Sequence, residues 1–255
     1  MKLKSILPLI ALGLSLFLYS CESNDAPVAY SSISGNTTNK VLVEMFTNTS
    51  CIPCVVANQY LDALTDTNII IIRTHTTLYP NDPFYLYNTT DNGVRQTYYN
   101  SANANPKAFL LGTFMGNYNA NNWTNSLNTQ LATSRTMGIT LSRTYDPASR
   151  EGNLNVTINQ TSGANVGDLV YHIALVEDEL FYNAPNGEDI FEQVLRDLLT
   201  TPDGDELNIS SGQSINLQKS FTIPAEINDS HASIIVFTQS TSSKQVYGVE
   251  KVKIR

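Results

Sequence analysis

Val41-Leu42-Val43-Glu44-Met45-Phe46-Thr47-Asn48-Thr49-Ser50-Cys51-Ile52-Pro53-Cys54 is the stretch on which the fold turns. It begins with an apolar, partly β-branched run bounded by the polar residues Thr47 to Ser50, the pattern of a mostly buried strand. Pro53 suits the first turn of a helix, where its missing N–H costs nothing. Val55, Val56, Tyr60, Leu61 and Leu64 then recur at helical spacing, so a helix is predicted over 53–64. Ile69-Ile70-Ile71-Ile72 sits in a second buried strand predicted over 68–75. Strand, helix and strand with short connections imply a parallel pair joined by a right-handed crossover.

The cysteine pair follows a buried strand and opens a helix. Free backbone N–H groups and the helix dipole at that point stabilise a thiolate on the first cysteine. On this reading Cys51 is an exposed nucleophile and Cys54, one turn on, is the more buried resolving thiol. The competing reading makes the pair a permanent structural staple.

Further along, Pro80 and Pro83 break an irregular stretch over 76–84, and a helix is predicted around 91–99. Pro106 stands in a turn entering a strand over 107–112, and a last helix is predicted over 123–134. These pieces make an open α/β sheet over 41–137. After Met137 the pattern changes to strands, over 138–143, 154–160, 170–177, 214–223, 233–239 and 246–254, separated by turn-rich segments at β-sandwich spacing. One segment, 189–199, has helical periodicity and is predicted as a short helix covering one end of the sandwich. The expected fold is thus an α/β domain over 41–137 followed by an all-β, Ig-like sandwich domain over 138–255.

Ahead of the folded body, Lys2 and Lys4 precede a charge-free apolar run that ends at Leu18-Tyr19-Ser20-Cys21. The run is short for a membrane span and fits a secretory leader over 1–20. A Leu three residues before a Cys resembles the lipobox of bacterial lipoproteins, which implies lipidation (a palmitate-type anchor) at Cys21. Residues 21–40 are polar and small, and read as a flexible tether. The formal net charge is −8, and loss of Lys2 and Lys4 with the leader makes the mature chain more acidic still. Such a surface repels nucleic acid and anionic headgroups, so the expected membrane contact is through the N-terminal lipid alone.

The first half resembles the thioredoxin-like fold, on Cys51-Ile52-Pro53-Cys54, the strand before it and Pro106 after it. The resemblance implies a cis Pro106 beside the disulfide, although a turn proline is trans by default. It also places Glu44 close to where that fold often carries a buried acid serving the resolving thiol; the alternative is a solvent-facing Glu at a strand end. The motif departs from the most reductive members, with no aromatic residue before Cys51 and Ile52 in place of Gly, so the redox direction stays open. Val41 to Thr47, Tyr79-Pro80-Asn81-Asp82-Pro83-Phe84-Tyr85, Tyr171-His172-Ile173-Ala174-Leu175-Val176-Glu177-Asp178 and Val194-Leu195-Arg196 carry a second resemblance, over the mature chain, to the outer membrane protein 28-related family of bacterial lipoproteins. It implies a cell-envelope, outer membrane location, on the periplasmic or the exposed face.

Other candidates are weaker. His75 ends the strand beside the cysteine-bearing one and either borders the thiols or is simply packed. His75, His172 and His231 lack partners at metal spacing, so no metal and no cofactor is expected. Tyr79, Phe84, Tyr85, Tyr87, Tyr98 and Tyr99 read either as a recognition platform or, preferably, as packing of a long loop. Asn186-Gly187 reads as a turn signal. Two functions follow. The first is an envelope thiol-disulfide oxidoreductase acting on protein thiols or disulfides, which predicts a Cys51–Cys54 potential above about −300 mV and trapped mixed disulfides. The alternative is a non-catalytic binding or adhesion module with a structural Cys51–Cys54 disulfide, engaging an envelope peptide, glycan or host surface.

Overall fold

The computed structural model describes residues 30–31, 39–163 and 165–255. The leader, Cys21 and most of the tether lie outside those residues. In chain order the first half contains β1 (Tyr30–Ser31), β2 (Val41–Thr47), α1 (Ile52–Asp62), β3 (Ile69–His75), α2 (Pro83–Tyr87), α3 (Thr89–Tyr98), β4 (Lys107–Leu110), β5 (Thr113–Phe114) and α4 (Ala120–Leu131). The second half contains β6 (Met137–Asp146), β7 (Glu151–Gln160), β8 (Leu169–Glu177), β9 (Leu180–Phe181), β10 (Ile190–Phe191), β11 (Val194–Leu198), β12 (Asp205–Glu206), β13 (Ser214–Thr222), β14 (Ala232–Ser240) and β15 (Val246–Lys253).

The predicted β-α-β unit is present: β2 and β3 pair in parallel from Val41 opposite Ile69 to Thr47 opposite His75. The expected two-domain architecture is not. β2, β3, β4 and β5 continue through β11 into β8, β14 and β15, so strands from both halves form one nine-stranded mixed sheet. A thioredoxin-like α/β domain followed by a separate Ig-like sandwich is therefore replaced by a β-rich body built on a shared sheet. A four-stranded sheet, in the order β1-β6-β7-β13, covers part of it.

The joint is the segment predicted as a helix over 189–199. It is two strands, and the second, β11, pairs antiparallel with β8 and parallel with β3 through Val194 opposite Arg73. Its register shifts between Leu195 and Asp197. Such a bulge breaks the period-two alternation of a strand, and the apolar residues Val194, Leu195 and Leu198 then imitate helical spacing. Arg73 reinforces the joint from β3: its guanidinium donates to Glu192 O at 2.9 Å, to Asn58 O at 3.2 Å and to Asp62 Oδ1 at 2.5 Å, and it also reaches Gln193 Oε1.

Two apolar cores lie on opposite faces of the shared sheet. Ile173 and Leu175 of β8 with Ile234 and Val236 of β14 pack against β6 and β7 residues such as Leu141, Leu154 and Val156. Their neighbours Ala174, Val176, Ile235 and Phe237 belong to the other core, with β2, β3, Leu61 of α1 and the fully buried Trp123 of α4. β14 is consequently buried along its whole length. Adjacent residues of one strand serve different cores because side chains alternate across a pleated sheet.

Candidate functional site

The Cys51–Cys54 pair forms a disulfide at the start of α1, with the two Cα atoms 5.3 Å apart. Cys51 is the N-cap residue, extended at φ −86°, and Pro53 occupies the first turn as the sequence requires. The preceding loop is tied down before the helix begins. Asn48 donates its side-chain amide to Thr76 O at 2.8 Å and Tyr79 O at 3.1 Å, and accepts from Ser50 N at 2.9 Å. Cys51 N in turn donates to Asn48 O at 2.9 Å.

The expected exposed nucleophile is instead enclosed. Cys51 is 1 % exposed and Cys54 0 %, whereas Ile52 between them is 73 % exposed. The turn between β9 and β10 lies against the motif: Asn186 N donates to Thr49 O at 3.1 Å and Asn186 Nδ2 donates to Cys51 O at 3.3 Å. The same amide donates to Glu188 Oε2 at 2.6 Å, and Glu188 Oε1 accepts from Asn58 of α1 at 2.9 Å. Asn186-Gly187 is a turn as read, with Gly187 at φ 92°, and Asn186 is also a cover for the cysteine loop. Spacing alone gave no sign of that second part, because the contact joins residues far apart in sequence.

The Asn105–Pro106 peptide is cis. Pro106 lines a cleft of about 340 Å³ with Pro53, Val56 and Tyr118. Glu44 and His75, the two auxiliary candidates, are each committed elsewhere. Glu44 is 2 % exposed rather than solvent-facing; it accepts from Arg95 Nε at 3.1 Å and Nη2 at 2.5 Å, and from the Tyr99 hydroxyl at 2.7 Å. The guanidinium continues to Gln239 of β14 at 3.2 Å and lies 3.5 Å from His172 Nε2 on β8, so this polar network stitches α3 and β2 to the second half. Burial, with the Arg95 cation beside it, holds the His172 imidazole well below its usual range and hence neutral. His75 is fully buried, with Nδ1 2.8 Å from Asp82 Oδ2 and its ring against Phe84 and Phe191. Of the aromatic series, Phe84 and Tyr99 are core residues and Tyr79 is 43 % exposed.

A β-rich body with an enclosed disulfide under a hairpin is thus the class that fold and site define. The chain belongs to the Omp28 family: the family described as outer membrane protein Omp28 matches residues 95–255. The family is one of outer membrane proteins, and the protein is accordingly a cell-envelope protein. Among solved structures, HBP35 of Porphyromonas gingivalis is similar at 14 % identity and a TM-score of 0.71, covering 86 % of this chain and 76 % of that one. That likeness is one of fold. A domain of the outer membrane lipoprotein Omp28 from Porphyromonas gingivalis matches at 16 % identity and a TM-score of 0.35, over 48 % of this chain and 89 % of that chain. No curated protein matches the chain by sequence.

Proposed function

We propose that the protein is a non-catalytic recognition module of the cell envelope, tethered through a lipid on Cys21, in which Cys51–Cys54 is a structural staple. The observation that carries this reading is the enclosure of both sulfur-bearing residues, at 1 % and 0 % exposure, beneath the Asn186 turn. Thiol-disulfide exchange requires an incoming thiolate to reach a sulfur, and reactive cysteines sit in partly exposed surroundings. The partner is an envelope component rather than nucleic acid, given the acidic balance of the chain.

The test is the reduction potential of the pair in the purified full chain, together with trapping in cells carrying Cys54→Ser. A staple sits below about −300 mV and leaves Cys51 without mixed disulfides. A more oxidising potential with a trapped envelope protein would restore the oxidoreductase.

A further inference from the structure

The four-stranded sheet turns one face to the second core and the other to solvent. β6 and β7 pair from Met137 opposite Gln160 to Asp146 opposite Glu151, and β13 continues the rows from Ser214 opposite Asn159 to Thr222 opposite Glu151. Inward residues such as Leu141, Leu154 and Val156 are buried, so the alternate residues form the outer rungs. Two central rungs read Ser142-Asn155-Gln218 and Thr144-Asn153-Ser220. Across the outer rungs of these three strands the sole charges are Asp146 and Glu151, both in the end rung. Soluble surfaces ordinarily mix charges of both signs.

The rungs are ordered by their own hydrogen bonds. Ser220 Oγ donates to Asn153 Oδ1 at 2.8 Å, Thr157 Oγ1 donates to Asn216 Oδ1 at 2.8 Å, and Ser214 Oγ donates to Asn159 Oδ1. Each of these asparagines uses its oxygen within the sheet, which leaves its amide N–H donors to the surface. Strands are spaced about 4.8 Å apart, so donors and hydroxyls repeat on the scale of one sugar ring.

At the end of the ladder nearest Ser149 lies a cleft of about 530 Å³. Thr144, Asn153 and Ser220 supply amide and hydroxyl groups there and Asp146 and Glu151 supply acceptors, while Tyr145 and Phe221 of the same strands are buried in the core beneath, at 1 % and 5 % exposure. Gly152 is required over the buried ring, since a Cβ there would stand 2.3 Å from Phe221 Cζ. No Lys or Arg lines the cleft.

We propose that this outer face of β6, β7 and β13, with the cleft at its end, binds a strand of neutral polysaccharide. The polar groups match sugar hydroxyls, and the two carboxylates reject phosphate, sulfate and uronate groups. The inference rests on the recognition-module reading and is independent of the state of the disulfide.

The test is a glycan array of neutral, sialylated and sulfated oligosaccharides and polysaccharides, probed with the purified full chain. The expected result is retention on neutral glycans only, weakened about tenfold or more by Asn155→Arg on the ladder and by Asn153→Leu in the cleft. Thermal melting and Trp123 fluorescence confirm that both variants fold, and Thr129→Arg on α4 serves as a surface control that leaves binding unchanged. An empty array, binding to acidic glycans alone, or binding indifferent to both variants overturns the proposal. So does binding confined to an envelope protein and blocked by Asn155→Arg. An empty array alongside a potential below about −300 mV removes the ligand class while leaving the staple in place.

Discussion

The carboxyl groups of Asp91 and Asp197 meet at one amide: Asn88 Nδ2 donates to Asp91 Oδ2 at 2.7 Å and to Asp197 Oδ1 at 3.3 Å. The first acid opens α3 and the second lies on β11, so the pair sits where a helix of the first half meets the joining strand. Burial first, and then the hydrogen bond and charge of Asp91, push the Asp197 carboxyl up to about 6.

A folded-state pKa above the unfolded value of 3.8 means that the native state holds this proton more tightly. The associated stability is full below about pH 4 and is lost as pH rises through 6. Asp197→Asn removes the conflict between the two acids. Since the group is partly exposed, the gain is on the order of 1 kcal/mol at pH 8 and vanishes at pH 4. Urea unfolding of wild type and variant across that range measures it.

Asp82 has the opposite sign. Burial raises its pKa, but the charge of His75, their hydrogen bond and the backbone N–H groups of Thr49 and Tyr85 outweigh burial and hold it below 3.8. The stability it supplies is present above about pH 4 and is lost as pH falls through the folded value. Asp82→Ala also strips the cap of α2, where Oδ1 accepts from Phe84 N at 2.9 Å and Tyr85 N at 3.0 Å. We expect a cost of about 3 kcal/mol at pH 7, shrinking in acid, by the same unfolding measurement.

Asn186→Ala tests the cover over the cysteines. Losing its bonds to Cys51 O and Glu188 costs about 1 kcal/mol of local closure, which raises the open population roughly fivefold. Reduction of the disulfide by a water-soluble phosphine is expected to quicken by about that factor while the global melting temperature barely moves.

The shared sheet predicts a single unfolding transition. Trp123, the sole tryptophan, reports on the first core, and amide-hydrogen protection of β6 and β7, measured at the same urea concentrations, reports on the second. Coincident urea curves from the two probes are expected, whereas two separate domains would give two midpoints.

Most individual elements were legible. The alternation of β6 and β7, the run of four isoleucines in β3 and the Pro53 helix start follow from period and turn chemistry. The assembly was harder, because the bulge at Leu195 disguised the one strand that joins the halves. A usable signal existed in Ser233-Ile234-Ile235-Val236-Phe237, which does not alternate as a strand with one wet face should. At the site, the cysteines and Pro106 were visible from local pattern. Arg95 beside Glu44, Asp82 beside His75 and Asn186 over Cys51 were not, because each is a tertiary pairing that decides whether a polar side chain is satisfied inside or left to water.

β15 supplies Val246 and Val249 to one core and Val252 to the other, and Ile254 just beyond it joins that second core. Both interiors are therefore left unsealed until β15 is in place. Loss of that one strand opens the two halves together, which ties their stabilities to a single element.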